Sequence, residues 1–228
     1  MRHTQQTEYE YSWKSSELAP CHSFIMKPLL SMLPPAIKNN RSDKLRILDL
    51  GCGNGSLSHV LALKGYDVIG IEESFQGVEQ AQNNFSNCKF IQGSIYNLPD
   101  TKIEGTFDIV LSVEVIEHLF YPKELVRAAR KYLKSDGRLI VTTPYHGYWK
   151  NVVLALSGKM DEHLNALWDG GHIKFFSVKT LKQLLESEGY SDINFSFAGR
   201  MPYLWKTMLV SCKYYYCNKN DFCSYINS

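Results

Sequence analysis

The sequence predicts an α/β fold organised as a doubly wound, mostly parallel sheet. Three observations predict it. A short apolar strand at residues 46–50 runs straight into a turn with three glycines. Five strand patterns alternate with helical patterns at the spacing of β–α units. Polar or acidic residues follow several of these strands, at the edge where such sheets bind ligands. The 228 residues, 44% of them hydrophobic, suffice for one domain of this class.

The composition excludes several function classes. A net charge of +2 is too small to indicate a nucleic-acid platform. Six cysteines without a C-x-x-C pair predict reduced thiols in a cytoplasmic protein. A zinc site in Cys212, Cys217 and Cys223 stays open, although their spacing is not typical of one. Residues 1–10 lack the apolar run of a signal peptide, and no stretch has the roughly 20 apolar residues of a membrane span.

The first predicted element is a helix at residues 23–33, because its apolar residues fall near one face. Pro34 and Pro35 follow and end it. Before it, residues 1–13 are polar and aromatic, with Tyr9, Tyr11 and Trp13.

The glycine turn after the first strand predicts a bound nucleotide. Gly51, Gly53 and Gly55 remove three Cβ atoms, which permits positive φ and lets a ligand lie on the backbone. A helix at residues 56–63 follows. In the dinucleotide fingerprint G-x-G-x-x-G the third glycine comes one place later. Asp49 precedes the turn, and its carboxylate would repel a pyrophosphate but suits an ammonium or sulfonium.

The run D-x-G-x-G-x-G at residues 49–55 resembles motif I of the class I S-adenosylmethionine (SAM) methyltransferases. The resemblance extends over about residues 46–213. It implies a Rossmann-like methyltransferase fold, with a seven-stranded sheet whose last strand is antiparallel, and SAM as the methyl donor. Two other functions stay open: an NAD-dependent oxidoreductase, and a cofactor-binding module without catalysis.

The second strand, residues 67–72, ends in two acids about twenty residues after Gly51. An acid at this point of a nucleotide-binding fold accepts hydrogen bonds from both ribose hydroxyls. The run G-x-E-x-S at residues 70–74 resembles motif II of the methyltransferases. We therefore expect Glu72 to bind the ribose and Glu73 to be its solvated neighbour.

A helix at residues 76–85 and a strand at 89–92 lead to Ser94 and Ile95. Members of the methyltransferase family often carry an acid at the position of Ser94, where its carboxylate binds the adenine amino group. The Ser94 hydroxyl can accept the same hydrogen bond, but more weakly than a carboxylate. Ile95 either packs on the adenine face or is a core residue. The resemblance implies a cofactor site made of Asp49, Gly51, Cys52, Gly53, Gly55, Glu72, Ser94, Ile95 and Val113.

The rest of the chain completes the predicted organisation. Residues 1–40 form an N-terminal cap, which in the family often covers the cofactor and alternatively makes no ligand contact. Residues 41–213 form the SAM-binding domain, with a substrate or lid insertion at 144–176. Residues 214–228 form a tail without an assigned role. The remaining predicted strands are 107–112, 137–143, 191–198 and 205–213, with helices at 122–133 and 178–188 and a reversing loop at 200–202.

A second group of polar residues, E-x-x-E-H, follows the fourth strand. Glu114 and Glu117 are three apart, hence on one face of a helix, and His118 is adjacent. Two carboxylates and an imidazole suit Mg²⁺, or Mn²⁺ or Zn²⁺. The run resembles the ubiquinone-biosynthesis O-methyltransferases and the terminal 2′-O-methyltransferases of small RNAs, which use it with a later histidine to hold a divalent ion. Alternatively, the acids stabilise a helix N-terminus and the histidine shapes the pocket without a metal.

The insertion supplies the remaining candidates. Residues 148–156 are apolar and aromatic, which favours a lid helix or a contact with a membrane surface. Residues 170–177 resemble a G-H-x-x-F-type segment of the same O-methyltransferases. His172 is a candidate general base, with an ordinary pKa near 6.5, or a fourth metal ligand. Otherwise it fixes the loop before the Ser177 helix cap. His146 and His163 have weaker claims.

Together these patterns predict a SAM-dependent methyltransferase, most like the ubiquinone-biosynthesis O-methyltransferases. The expected acceptor is an oxygen of a small molecule, and transfer to a nucleic-acid end stays an alternative. The expected mechanism is in-line displacement at the methyl carbon, with His172 and His118 as the catalytic candidates. The sequence predicts no oligomeric state.

Overall fold

The computed structural model describes residues 17–37 and 44–215. Several residues named above, including Tyr9, Tyr11, Trp13, Cys217 and Cys223, lie outside these ranges. The described chain contains seven strands: β1 Arg46–Leu50, β2 Asp67–Glu72, β3 Lys89–Gln92, β4 Phe107–Val113, β5 Leu133–Pro144, β6 Tyr190–Ala198 and β7 Thr207–Tyr214. The helices are α1 His22–Met32, α2 Ser56–Leu63, α3 Phe75–Asn84, α4 Pro122–Tyr132, α5 Tyr148–Leu156, α6 Met160–His163 and α7 Val178–Ser187.

The strands form one sheet in the order β3-β2-β1-β4-β5-β7-β6. Strands β1 to β5 pair in parallel, whereas β7 runs antiparallel to both β5 and β6. The strand order reverses between β1 and β4, which puts a crevice at the carboxyl ends of these two strands. The predicted doubly wound, seven-stranded sheet with an antiparallel last strand is confirmed.

Local patterns located most elements correctly. The bounds of β1, α2, β2 and β3 agree with the predicted ones. The four-residue helix α6 was not predicted, because so short a segment shows no apolar periodicity. Between β3 and β4 the connection holds only a 3₁₀ turn, Asp100–Lys102, rather than a full helix.

The core lies on both faces of the sheet, as expected of parallel strands covered by helices. Alternate residues of β1 point to opposite faces: Leu48 and Leu50 belong to one buried cluster, and Ile47 belongs to the other. The second cluster also contains Ile25 and Leu29 of α1, which are buried. Burying a leucine or isoleucine side chain contributes roughly 1.5–3 kcal/mol, so α1 is part of the domain's core.

The ends of the helices follow from nearby side chains. Ser177 caps α7 by accepting a hydrogen bond from the Thr180 N–H, and Thr180 accepts one in return from the Ser177 N–H. This reciprocal pair confirms the predicted cap and fixes where the loop before α7 ends. Helix α1 ends before Pro34, as predicted.

The cysteines of the described chain are unpaired: Cys21, Cys52, Cys88 and Cys212 are free thiols. Cys212 is fully buried in β7 and its Sγ lies 3.8 Å from the Leu139 carbonyl oxygen. This burial in the sheet does not support the zinc site considered for the tail. Across residues 17–37 and 44–215, every helix is too short or too polar to cross a bilayer.

Candidate functional site

The glycine turn lies at the carboxyl end of β1 and bends toward β2. Gly51, Gly53 and Gly55 have φ of 79°, 57° and 76°, which confirms the expected left-handed backbone. The N–H groups of Gly51 and Cys52 donate to the Ile71 carbonyl oxygen at 2.8 and 3.0 Å. These bonds hold the turn across the end of β2 and direct α2 at the crevice.

Two of the three glycines are required by packing within the protein. A Cβ on Gly51 would lie 2.5 Å from Val115 Cγ2, and one on Gly55 would lie 2.7 Å from both Ala81 and the Phe90 ring. The Cys52 side chain packs into the same small cluster as Ala81 and Phe90. Any contact of Cys52 with a cofactor would therefore use its backbone.

Glu72 connects the turn to the end of β2. Its Oε2 accepts a hydrogen bond from the Gly53 N–H at 2.8 Å, and its Oε1 accepts one from the Ser74 N–H at 2.9 Å. Burial nevertheless raises the pKa of Glu72 above its ordinary value. Each carboxylate oxygen can accept a further hydrogen bond, so the side chain is held in place with acceptor capacity left for a ligand. Glu73 is exposed, as predicted.

Asp49 lies deeper than expected. It is 1% exposed, and its Oδ2 accepts a hydrogen bond from the Ser58 hydroxyl at 2.6 Å. Burial raises the pKa of Asp49 from 3.8 to about 6. The carboxylate therefore ties the first turn of α2 to β1, and a direct contact with an ammonium or sulfonium stays a prediction.

Asn54, which was not among the predicted residues, joins the turn to the N-terminal segment. Its Nδ2 donates to the Glu17 carbonyl oxygen at 2.9 Å, and its Oδ1 accepts from the Ser56 hydroxyl at 2.8 Å. Helix α1 thus belongs to the core and the chain before it contacts the glycine turn, while cover of the cofactor by this segment stays a prediction. The sequence feature that could have indicated a role for this residue is the position of Asn54 between Gly53 and Gly55.

The predicted adenine side is formed by three residues at the same edge. Ser94 Oγ accepts a hydrogen bond from the Tyr96 N–H at 3.3 Å. Ile95 is half-buried against the main core, and Val113 is buried at the end of β4. Their contacts with a cofactor stay predictions.

Glu114 does not share a helical face with Glu117, contrary to the spacing argument. Its φ is +55°, and the 3₁₀ turn begins only at Ile116. The Glu114 carboxylate instead accepts a hydrogen bond from the Thr142 hydroxyl at 2.8 Å. Burial raises the pKa of Glu114 to about 7, although hydrogen bonds from Thr142 and Thr207 oppose the rise.

Glu117, His118 and His172 converge into one group. One ligand atom of each lies within 4.8 Å of the others, and His172 Nε2 is 3.9 Å from Glu117 Oε1. Glu117 is fully buried, and neither of its carboxylate oxygens has a hydrogen-bond partner in the described part of the chain. Burial and the neighbouring Glu114 raise the pKa of Glu117 well above its ordinary value. These three residues could therefore bind a divalent cation. Glu114, which the sequence also predicted as a ligand, is not part of this group.

The loop before α7 brings this group together from distant parts of the sequence. The Glu117 carbonyl oxygen accepts hydrogen bonds from the Ile173 and Lys174 N–H groups at 2.9 and 3.0 Å. His118 Nδ1 lies 2.8 Å from the Gly170 carbonyl oxygen. Because a carbonyl oxygen can only accept, Nδ1 carries the proton and Nε2 is left with a free lone pair.

The pKa of His172 is not the ordinary value assumed from the sequence, and its role as a general base stays a prediction. Burial, together with His118 and His163, lowers the pKa of His172 to about 4. Burial also lowers the pKa of His118. Both rings are therefore neutral at pH 7, so they can accept a hydrogen bond from a hydroxyl, but His172 is a weak base.

The insertion adds residues that were not predicted. The Trp168 ring packs against those of His118 and His172, at centroid distances of 5.8 and 5.2 Å. Lys150 of α5 is buried near Glu114, and burial lowers its pKa to about 8. The sequence feature that could have indicated a role for Lys150 is its position as the single lysine in the apolar run of residues 148–156.

Comparison with known proteins gives consistent results. A family model described as a methyltransferase domain matches residues 41–195. The ubiquinone biosynthesis O-methyltransferase of Rickettsia prowazekii is 34% identical over 113 residues, which are 47% of this chain and 44% of that protein. The mitochondrial ubiquinone biosynthesis O-methyltransferase of Homo sapiens is 31% identical over 189 residues, which are 76% of this chain and 50% of that protein. The chain thus spans about half the length of these curated relatives.

Solved structures share the fold. The magnesium protoporphyrin IX methyltransferase of Synechocystis, solved with bound S-adenosylhomocysteine (SAH), superimposes with a TM-score of 0.55. The two chains are 19% identical, and the alignment covers 75% of this chain and 74% of the other.

Proposed function

This chain belongs to the methyltransferase domain family, and from that premise we propose that it transfers a methyl group from SAM to an oxygen of a small-molecule acceptor. The observation that carries the proposal is Glu72, which is fixed by the Gly53 and Ser74 amides at the mouth of the crevice. An acid held in this way can accept hydrogen bonds from both hydroxyls of a ribose. Family membership weighs against the NAD-dependent alternative.

The reaction needs orientation more than acid–base chemistry. A bound donor would supply a methyl group on a positively charged sulfur, which is already a good leaving group. The contribution of the chain is to hold the acceptor oxygen in line with that group, and such orientation can supply up to roughly 7–11 kcal/mol of the barrier. Without a cation in this group, His118 Nε2 and the neutral His172 can accept a hydrogen bond from the acceptor hydroxyl.

A divalent cation is part of the proposal, and one carboxylate with two imidazoles suits Mn²⁺ or Zn²⁺ better than the Mg²⁺ also expected from the sequence. Glu117, His118 and His172 fit one, because a fully buried carboxyl without hydrogen-bond partners faces two neutral imidazoles. A cation bound there would lower the pKa of an acceptor hydroxyl. We expect Glu117→Gln to weaken Mn²⁺ binding at least tenfold, measured by electron paramagnetic resonance. Unchanged Mn²⁺ binding would remove the cation from the proposal.

The acceptor is proposed to be a phenol or catechol, since the curated relatives are named for ubiquinone biosynthesis. The outer face of α5 exposes Tyr148, Trp149 and Leu156, which supports contact with a membrane surface that would deliver an apolar acceptor. A cytoplasmic location fits the reduced thiols expected from the cysteine pattern.

Two measurements test the function. Calorimetry should detect SAH binding, and wild-type protein with methyl-labelled SAM should label a catechol acceptor. Tight NAD(H) binding without SAM uptake would instead favour the oxidoreductase. Labelling of RNA ends but of no small molecule would favour the nucleic-acid alternative. SAH binding without transfer to any acceptor would indicate a binding module.

A further inference from the structure

Helix α5 is inverted relative to an ordinary surface helix. Lys150, at 7% exposure, is its one buried residue, whereas Trp149 and Leu156 are 61% and 85% exposed. Surface helices normally turn apolar residues inward and lysines outward. The lysine is therefore held inside by something other than hydrophobic burial.

The Lys150 ammonium is only partly satisfied. Its Nζ donates to the Tyr145 carbonyl oxygen at 2.8 Å, which uses one of its three N–H donors. Among residues 17–37 and 44–215, no carboxylate lies within ion-pair distance of it, and Glu114 acts on it only from farther away. Burying a cation without a close partner is unfavourable unless a ligand supplies the missing charge.

Lys150 lies at the carboxyl end of β5, beside the loop that carries His172. Its Nζ binds the carbonyl oxygen of Tyr145, and the centroid of the adjacent His146 ring lies 5.5 Å from that of the His163 ring. The His146 N–H donates to the Phe176 carbonyl oxygen at 3.1 Å, in the loop that also contains His172. Lys206 adds a second positive charge nearby. The groups around Lys150 are thus neutral rings, a second cation and one carboxyl, an environment short of negative charge.

We propose that Lys150 determines acceptor specificity, because its ammonium binds an anionic oxygen of the acceptor. This oxygen is either the ionised hydroxyl or part of a carboxylate elsewhere on the acceptor. The inference rests on the proposed methyltransferase function and deepens it. It assigns α5 two roles: the helix covers the acceptor, and it carries the positive charge that recognises it.

The test uses SAH-loaded protein and two probe sets, measured by calorimetry. Benzoate and benzamide differ by a carboxylate, whereas 4-nitrocatechol between pH 6 and 7.5 supplies an ionising hydroxyl while Lys150, with a pKa of about 8, keeps its charge. Wild type is compared with Lys150→Met, which removes the charge, and Lys150→Arg, which keeps it. Lys159→Met is the matched control, because Lys159 is exposed just before α6. Melting temperatures establish that each variant folds.

We expect wild type to prefer the anionic form of at least one probe set by about 10- to 100-fold, since hydrogen bonds to charged groups are strong. Lys150→Met should abolish that preference, Lys150→Arg should retain most of it, and Lys159→Met should not change it. A preference for benzoate over benzamide identifies a carboxylate, and a preference seen only with ionised nitrocatechol identifies the hydroxyl.

The inference is overturned if wild type shows no charge preference, or if the preference survives in Lys150→Met. It is also overturned if Lys150→Met weakens neutral and anionic probes equally, which is the result of a purely structural lid contact. Normal SAH binding in these cases leaves the methyltransferase proposal intact. Failure of wild type to bind SAH overturns both.

Discussion

Replacing Asp49 by Asn measures how much a buried carboxylate beside the glycine turn destabilises the unliganded protein. Asp49 is 1% exposed, and its pKa is raised by burial from 3.8 to about 6. The folded state therefore binds a proton more tightly than the unfolded chain does. The contribution of protonated Asp49 to the free energy of unfolding is fully present below about pH 4, and it is lost as the pH rises from about 4 to about 6.

The size of this effect follows from the two pKa values. At about 1.36 kcal/mol per pKa unit, the difference between 3.8 and about 6 corresponds to about 3 kcal/mol. Asparagine is neutral at every pH, and its side-chain oxygen can still accept the hydrogen bond from Ser58. We expect Asp49→Asn to be up to about 3 kcal/mol more stable than wild type at pH 7.5, with no gain at pH 4.

Urea denaturation at pH 4, 6 and 7.5 provides the assay, with Asp136→Asn as the control. Asp136 is exposed on β5, so its replacement should change the free energy of unfolding by less than about 0.5 kcal/mol. The difference between variant and wild type isolates Asp49 from the other buried acids, apart from its coupling to Glu72. If Asp49→Asn is less stable than wild type at pH 7.5, or if the difference does not grow between pH 4 and 6, the reasoning is refuted. Weaker SAM binding by the stabilised variant would indicate that the carboxylate serves the ligand.

Three further predictions concern the turn and a helix cap. Gly53→Ala should reduce SAH affinity at least tenfold in calorimetry, while its backbone strain costs about 1 kcal/mol of stability. Gly55→Ala has the same kind of strain and should cost about 1–3 kcal/mol more, because its Cβ also meets Phe90. Equal stability of the two variants would contradict this difference. Glu72→Gln replaces one of two carboxylate acceptors by an NH₂ donor, so SAH affinity should fall at least tenfold, and unchanged affinity would remove Glu72 from the donor site. Ser177→Ala should lower the free energy of unfolding by about 1 kcal/mol through loss of the α7 cap without changing SAH affinity, as denaturation and calorimetry would show.

Features with a local cause could be predicted from the sequence alone. The strand bounds at residues 46–50 and 67–72 follow from alternating or continuous apolar runs between turn residues. The left-handed glycines and the Ser177 cap follow from what single residues do to their own backbone. Parallel pairing then puts Glu72 and the glycine turn at one edge, because the carboxyl ends of parallel strands meet there.

The properties of the site itself were decided by tertiary structure. His118 contacts Gly170 across 52 positions of sequence, so no local pattern could predict its free Nε2. The low pKa of His172 comes from burial beside two other histidines, which a sequence does not reveal. The left-handed backbone at Glu114 prevents it from sharing a helical face with Glu117, which the three-residue spacing had predicted. Lys150 points inward because of how α5 docks, and composition alone would have put a lysine at the surface. The sequence thus determined the order of the strands and helices and the glycine turn predicted to bind SAM. The charges and protonation states of the site, and the residues proposed to contact the acceptor, depend on which distant residues the fold buries together.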